Sequence, residues 1–174
     1  TYNEFNAERD VRELKGPAFS ASRAVDISSN DTPYITGVSF DFSVFGNVGV
    51  IWNLEGEIIQ QFGALRSPRG ITEDGTIVFG NIVDILGGTT SPALWMTEDG
   101  WETFTELVLD DLLADLKNAD VPGALAIERF GSTLGDTCCF ISGVNGSGQV
   151  VAQGYPDPNA PTVLRPPTGA VYLL

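Results

Sequence analysis

The stretch Arg69-Gly70-Ile71-Thr72-Glu73-Asp74-Gly75-Thr76-Ile77-Val78-Phe79-Gly80 decides the fold, because the chain writes it more than once. Trp95 follows its last glycine by fifteen positions. One unit earlier, Ile27-Ser28-Ser29-Asn30-Asp31-Thr32-Pro33-Tyr34-Ile35-Thr36-Gly37 runs through the same order of residue types, and Trp52 again stands fifteen positions beyond the closing glycine. Gly37 to Gly80 and Trp52 to Trp95 are each 43 residues apart, and Phe19, Ala21 and Arg23 recur at that interval as Phe62, Ala64 and Arg66. A third copy, from Ile141-Ser142-Gly143-Val144-Asn145-Gly146 to Gly154, follows after an interval lengthened to 70. A fixed period in the low forties marks a repeat architecture, and three or four short strands per period match a propeller blade. A β-solenoid, whose coils are usually shorter, ranks second.

Within each period the local signals are those of strands and tight turns. In the first unit, 34–39, 49–54 and 57–62 are rich in β-branched and aromatic residues, with turns at Asn30-Asp31-Thr32-Pro33 and Leu54-Glu55-Gly56. In the second, Asp74-Gly75 is a hairpin signal, followed by strands expected at 76–80, 92–97 and 101–105. From 105 to 120 the period changes: Leu109, Leu112, Leu113 and Leu116 fall at i, i+3, i+4 and i+7, which predicts a helix inserted between the second and third units and ended by Pro122-Gly123. Strands are expected in the third unit at 125–130, 137–142 and 149–154. Ala160-Pro161-Thr162-Val163-Leu164 echoes Ser91-Pro92-Ala93-Leu94 with Arg165 in the place of Trp, and 170–174 reads as a final apolar strand. The expected organisation is an N-terminal arm (1–18) and one all-β, propeller-like domain (19–174) of about three 43-residue blades. Its units fall at about 19–61, 62–104 and 124–174, with one helical insertion at about 105–120.

Composition narrows the function classes. The chain has 174 residues, a net charge of −14 and a pI near 4.1, with 43% hydrophobic and 18% charged residues, which places it among folded globular chains. Nine Lys and Arg spread along the chain do not supply the clustered positive charge that nucleic acid requires, nor a basic face for an anionic membrane. There is no histidine, which removes Ser-His-Asp and Cys-His nucleophiles and histidine zinc sites. No apolar run approaches the roughly 20 residues of a membrane span, and no signal peptide is present. A start at Thr1 without methionine fits a processed mature chain or a trimmed one.

Phe62-Gly63-Ala64-Leu65, the 70–80 stretch and Ser91-Pro92-Ala93-Leu94-Trp95 together resemble the HAF repeat of bacterial extracellular proteins. In that family a Leu-Gly-x-Leu stretch leads into Gly-Ile-Ser or Gly-Ile-Asn, an Asp-Gly or Asn-Gly turn, a Val-x-Gly strand and then His-Ala-Phe-x-Trp. The similarity covers about 19–165. Ser91-Pro92-Ala93-Leu94 replaces His-Ala-Phe, and the first unit's turn lacks glycine. The resemblance implies a secreted, propeller-like, non-enzymatic repeat protein, and it implies no catalytic residue.

Few residues stand out as chemistry. Trp52 and Trp95, at equivalent places, read as core. Trp101 lies outside the repeat, and with Glu98, Asp99 and Glu102 beside it forms a candidate aromatic and acidic patch for glycan or calcium. The pairs Glu73/Asp74, Glu98/Asp99 and Asp110/Asp111 are neighbours in sequence, whereas a glycosidase acid and base must face each other across a cleft. No EF-hand loop occurs, so no cofactor is expected beyond weak calcium binding. Cys138 and Cys139 are adjacent, which fits one thiol facing a core, a strained vicinal disulfide or an intermolecular bridge. Asn30-Asp31-Thr32 and Asn145-Gly146-Ser147 satisfy the glycosylation pattern at matching turns. Tyr2, Phe5, Val11 and Leu14 anchor the polar arm, either on its own domain or on a neighbour's sheet edge.

These features predict a non-enzymatic extracellular or cell-surface structural protein that self-assembles into a fibre or surface layer, its arm contacting the next subunit. The alternative is a monomeric secreted module that binds glycan or protein through Trp101 and the 81–90 loop. A carbohydrate-active enzyme is the third reading.

Overall fold

The computed structural model describes residues 13–16, 21–133, 140–159 and 171–173, and β-strands dominate them. Strands β1 (Ser22–Ile27), β2 (Ile35–Asp41), β3 (Gly46–Trp52) and β4 (Ile58–Ala64) form an antiparallel meander in chain order. A single residue, Leu65, held at a φ of 61°, then turns the chain into β5 (Arg66–Ile71), β6 (Ile77–Asp84), β7 (Thr89–Met96) and β8 (Thr105–Val108), a second meander. Helix α1 (Leu109–Asn118) and the short α2 (Pro122–Leu125) follow. The remaining strands are β9 (Ile127–Arg129), β10 (Ser132–Thr133), β11 (Ile141–Val144), β12 (Val150–Gln153), β13 (Tyr155–Pro156) and β14 (Val171–Leu173). Of these, β10 pairs with the start of β7, β9 with β13, and β11, β12 and β14 form a third antiparallel sheet.

The two meanders share one register. Ile27 opposes Ile35, which opposes Trp52; in the second meander Ile71 opposes Val78, which opposes Trp95. Gly37 and Gly80 sit beside β-bulges in β1 and β5, and an added Cβ would collide with the carbonyl oxygens of Arg23 and Ser67. The motif glycine is therefore demanded by the close approach of the neighbouring backbone.

Strand alternation divides the core. On β3, Val48, Val50 and Trp52 face one way, and the half-buried Leu14 packs on them together with Ile35 and Ile58. Residues 13–16 are tied to this face. The Trp52 indole donates to the Lys15 carbonyl at 2.6 Å, Lys15 N donates to Gly56 O, and the Lys15 ammonium meets Glu57 at 2.9 Å. Ile51 faces the other way, into a cluster with Phe62, Ile71, Val78, Ala93, Trp95 and Trp101 that joins the two meanders. Phe62 of β4 stacks on Trp95 of β7 at a centroid distance of 4.9 Å. A further cluster, in which Leu109 and Leu113 of α1 meet Ile77, Leu94, Phe130, Ile141 and Val150, joins the second meander to the third sheet.

The structure departs from the sequence reading at four elements. Pro122-Gly123, expected to end the helical insertion ahead of a strand at 125–130, instead opens the short helix α2, and the strand β9 runs only from Ile127 to Arg129. Residues 105–108 pair with β7, so α1 begins at Leu109, four residues later than expected. The strand expected at 101–105 is shifted to Thr105–Val108, because a closed loop occupies 97–103. In the third sheet the strand beside β12 is β14, with Tyr172 opposite Ala152 and Ala152 opposite Ile141. By register the Trp position therefore falls at Tyr172 rather than at Arg165, which lies outside the described residues.

Candidate functional site

Two ends of the meanders carry the chain's turns, and they differ in chemistry. At one end lie two turns with the same spelling, Thr72-Glu73-Asp74-Gly75 and Thr97-Glu98-Asp99-Gly100. The Thr72 hydroxyl donates to Asp74 Oδ1 at 2.6 Å, and the same oxygen accepts from the Thr76 N–H and hydroxyl. The Thr72 hydroxyl bond, with those from Thr76, holds the Asp74 carboxyl below the usual range against the opposing effect of partial burial. In the second turn Thr103 donates to Asp99 from both its hydroxyl (2.6 Å) and its N–H, and Thr97 adds its hydroxyl at 2.8 Å. Led by the Thr103 hydroxyl, these donors lower the Asp99 pKa to about 2. Asp74 closes its turn through Oδ1, and Asp99 closes its own through both carboxylate oxygens.

Trp101 is not part of an exposed patch. It is 0% exposed, its φ is 74°, and its indole donates to Gly75 O at 2.9 Å, which pins the 97–103 loop onto the preceding turn. The Thr97 hydroxyl accepts from Trp101 N, and Gln60 Nε2 reaches the Trp101 carbonyl, so the residue is turned inward from both sides. Glu98, Asp99 and Glu102 stay exposed around a buried indole. With no aromatic face in water, the patch offers no platform for a sugar ring. Trp52 and Trp95 are likewise 0% exposed.

The remaining carboxylates are occupied separately. Asp110 accepts the backbone N–H groups of Phe130 (2.5 Å) and Gly131 (2.8 Å) in a pocket of about 180 Å³, where it ties α1 to the segment after β9. Asp111 is exposed. Glu106 accepts a two-pronged bond from Arg66, at 2.9 and 3.0 Å, and the Trp95 indole at 2.8 Å. Burial pushes the Glu106 carboxyl up, but the Arg66 bonds, the Trp95 donor and the Arg66 charge together bring it below the ordinary range. Among the described residues no three metal-ligating side chains come together. No described helix is long and apolar enough to cross a membrane.

The opposite end is apolar. The β2–β3 hairpin tip presents Phe42 (55% exposed), Val44 and Phe45 (81%), and the β6–β7 tip presents Ile85 (58%) and a fully exposed Leu86. Both tips are built on the same device. Asp41 Oδ1 accepts Ser43 N at 2.7 Å, and Asp84 Oδ1 accepts Gly87 N at 2.9 Å, so a carboxylate caps each corner, and at the first tip the Phe42 ring also meets Phe40 edge to face at 5.0 Å. The tips are held side by side through Leu65, whose N–H reaches Asn47 O and whose carbonyl accepts Val83 N. Between them runs an open groove of about 280 Å³ with Phe40, Leu65, Val83 and Ile85 among its walls. Part of this surface lies in the 81–90 loop singled out from the sequence, although Asn81 itself is buried in β6. Sequence reasoning missed Phe42, Val44 and Phe45. The signal was an apolar run between Asp41 and Gly46, where a hairpin turn ordinarily carries Gly, Asn or Asp.

Of the other residues named from the sequence, Leu14 lies on its own sheet, whereas Tyr2, Phe5, Val11, Cys138 and Cys139 lie outside the described residues. Asn30 is half-buried and Asn145 exposed. No protein-family model matches the chain, and no curated protein or solved structure matches it either.

Proposed function

We propose that this chain is a non-enzymatic extracellular structural protein, a propeller-like array of three repeated units that self-assembles through its hairpin tips. The observation that carries the reading is the exposed apolar surface of Phe42, Val44, Phe45, Ile85 and Leu86 on two adjacent tips. Burying a large apolar side chain in a contact is worth about 2 kcal/mol. Such a patch on an otherwise acidic surface marks an interaction face. The docking of 13–16 on their own sheet moves the proposed contact from the arm to the tips. The array reading is supported by the shared register, in which Ile141, Ala152 and Tyr172 stand in the third sheet as Ile71, Val78 and Trp95 do in the second. Strand β1 ends the first sheet with Arg23 to Ile27 exposed, and a head-to-tail contact that does not close builds a filament.

A particle-mass measurement on the native chain tests this, beside the double variant Phe45→Ser, Leu86→Ser. The native chain is expected to form large particles and the variant to remain near 18.6 kDa with an unchanged far-ultraviolet spectrum. A native chain that stays monomeric at every concentration removes the assembly reading and leaves the tips as a face for a different protein. Particles that persist in the variant place the contact elsewhere on the molecule.

A further inference from the structure

We propose that Asn145-Gly146 is a self-modification site, at which the folded turn converts the asparagine amide into a carboxylate through a cyclic imide. It is the chain's only Asn-Gly pair. Asn145 and Gly146 are both exposed at the tip between β11 and β12. The reaction needs the nitrogen of the following residue to reach the side-chain carbonyl carbon, and Gly146 has no Cβ to obstruct it. Among the described residues the Gly146 N–H donates no hydrogen bond, so its proton is free to leave.

The turn also supplies what the transition state requires. Asn145 Oδ1 accepts the N–H of Ser147 at 3.1 Å and of Gln149 at 3.0 Å. When Gly146 N adds to Cγ, the negative charge develops on that oxygen, where two backbone donors already point. The leaving nitrogen, Nδ2, donates to Gln149 Oε1 at 2.8 Å, a bond that fixes the orientation of the amide while the proton for its departure comes from water.

The steps balance with water alone. Hydroxide removes the Gly146 amide proton, the N–Cγ bond forms, and the tetrahedral adduct expels Nδ2, which takes a proton from water and leaves as ammonia. Water then adds to one of the two imide carbonyls and opens the ring to an aspartyl or isoaspartyl residue at position 145. No electrons are exchanged.

Two other asparagines lack the combination. Asn30 donates its Nδ2 to Asp74 O and is followed by Asp31, and Asn53 Oδ1 takes one N–H, from Glu57, and is followed by Leu54. The product matters locally because a Cβ at Gly146 would stand 2.7 Å from Asp74 Oδ2. A new carboxylate at position 145 brings like charge to the place where the third sheet's turn meets the second meander's, and an isoaspartyl link lengthens the backbone of that turn.

The test is peptide mapping by mass spectrometry after incubating the full chain folded and, in parallel, unfolded in guanidinium chloride. The folded chain is expected to convert position 145 about tenfold faster than the unfolded one, the scale of two donors to a developing oxyanion at an exposed site, with Asn30 and Asn53 unchanged. Ser147→Pro, which deletes one donor and keeps the Asn-Gly pair, is expected to lose most of the acceleration. Gly146→Ala is expected to slow the reaction by about tenfold or more, because a Cβ obstructs the approach of the backbone nitrogen to Cγ. Conversion in the folded chain that is absent, or no faster than in denaturant, overturns the proposal, as does a folded Ser147→Pro chain that reacts at the native rate.

Discussion

Neighbouring donors can lower the pKa of an exposed carboxylate, and Asp99 shows how. Thr103 and Thr97 donate to it in the folded loop only, so its pKa falls to about 2 from the unfolded value of about 3.9. A depressed carboxylate stabilises the fold above the unfolded pKa, and the contribution is lost as pH falls through about 2. Carboxyl chemical shifts should therefore place the Asp99 midpoint near pH 2, and Thr103→Val should move it upward. A midpoint near 4 in the native chain would show that the Thr103 bonds do not persist in solution. Glu106 illustrates the buried counterpart. Glu106→Gln leaves the half-buried Arg66 guanidinium without its charged partner, and chemical denaturation should register a loss of about 1–3 kcal/mol. Trp101 was the residue most misread from sequence. Its acidic neighbours suggested water, but its N–H is taken by the Thr97 hydroxyl and its indole reaches Gly75 O, contacts that its neighbours in sequence do not announce.

At the scale of elements, the strands were legible where alternation and turn residues agreed. The β6 strand follows Asp74-Gly75 as expected, and β3 carries its apolar residues on both faces because both are covered. Helix α1 was legible from its leucine spacing, and Leu109 and Leu113 are the residues that it buries. Leu113→Ala should cost about 2–5 kcal/mol, read from the urea midpoint, because the cavity opens between the second meander and the third sheet. The start of α1 was not legible, because 105–108 satisfy their backbone by pairing with β7, a partner that local periodicity does not reveal. The repeated glycines were visible as a period, but their cause lies in a neighbouring strand. Gly80→Ala forces a Cβ against the Ser67 carbonyl and should destabilise by about 1–3 kcal/mol, while Gly143→Ala, with open space at that position, should cost less.

For the whole molecule, charge and apolar surface oppose each other. A net charge of −14 repels copies of the chain, while the tips attract, so added salt should enlarge the particles, since ions shorten the screening length to about 8 Å at physiological strength. Light scattering across a salt series checks the sign, and particles that shrink with salt would point to a charge-driven contact instead. Removing residues 1–18 is a poor probe of assembly, because it also strips Leu14 from the β3 face and leaves the Trp52 indole without the Lys15 carbonyl. By itself the sequence determined the all-β class, the place of several strands and turns, the burial of Trp52 and Trp95 and the helix around 109–118, because these rest on local alternation, spacing and turn chemistry. The tertiary structure alone decided that Trp101 is core, that the final strand β14 pairs with β12, and that Phe42, Val44, Phe45, Ile85 and Leu86 lie exposed on neighbouring tips. Each of these depends on contacts between residues far apart in the chain, and no local pattern encodes which strand a neighbour will be.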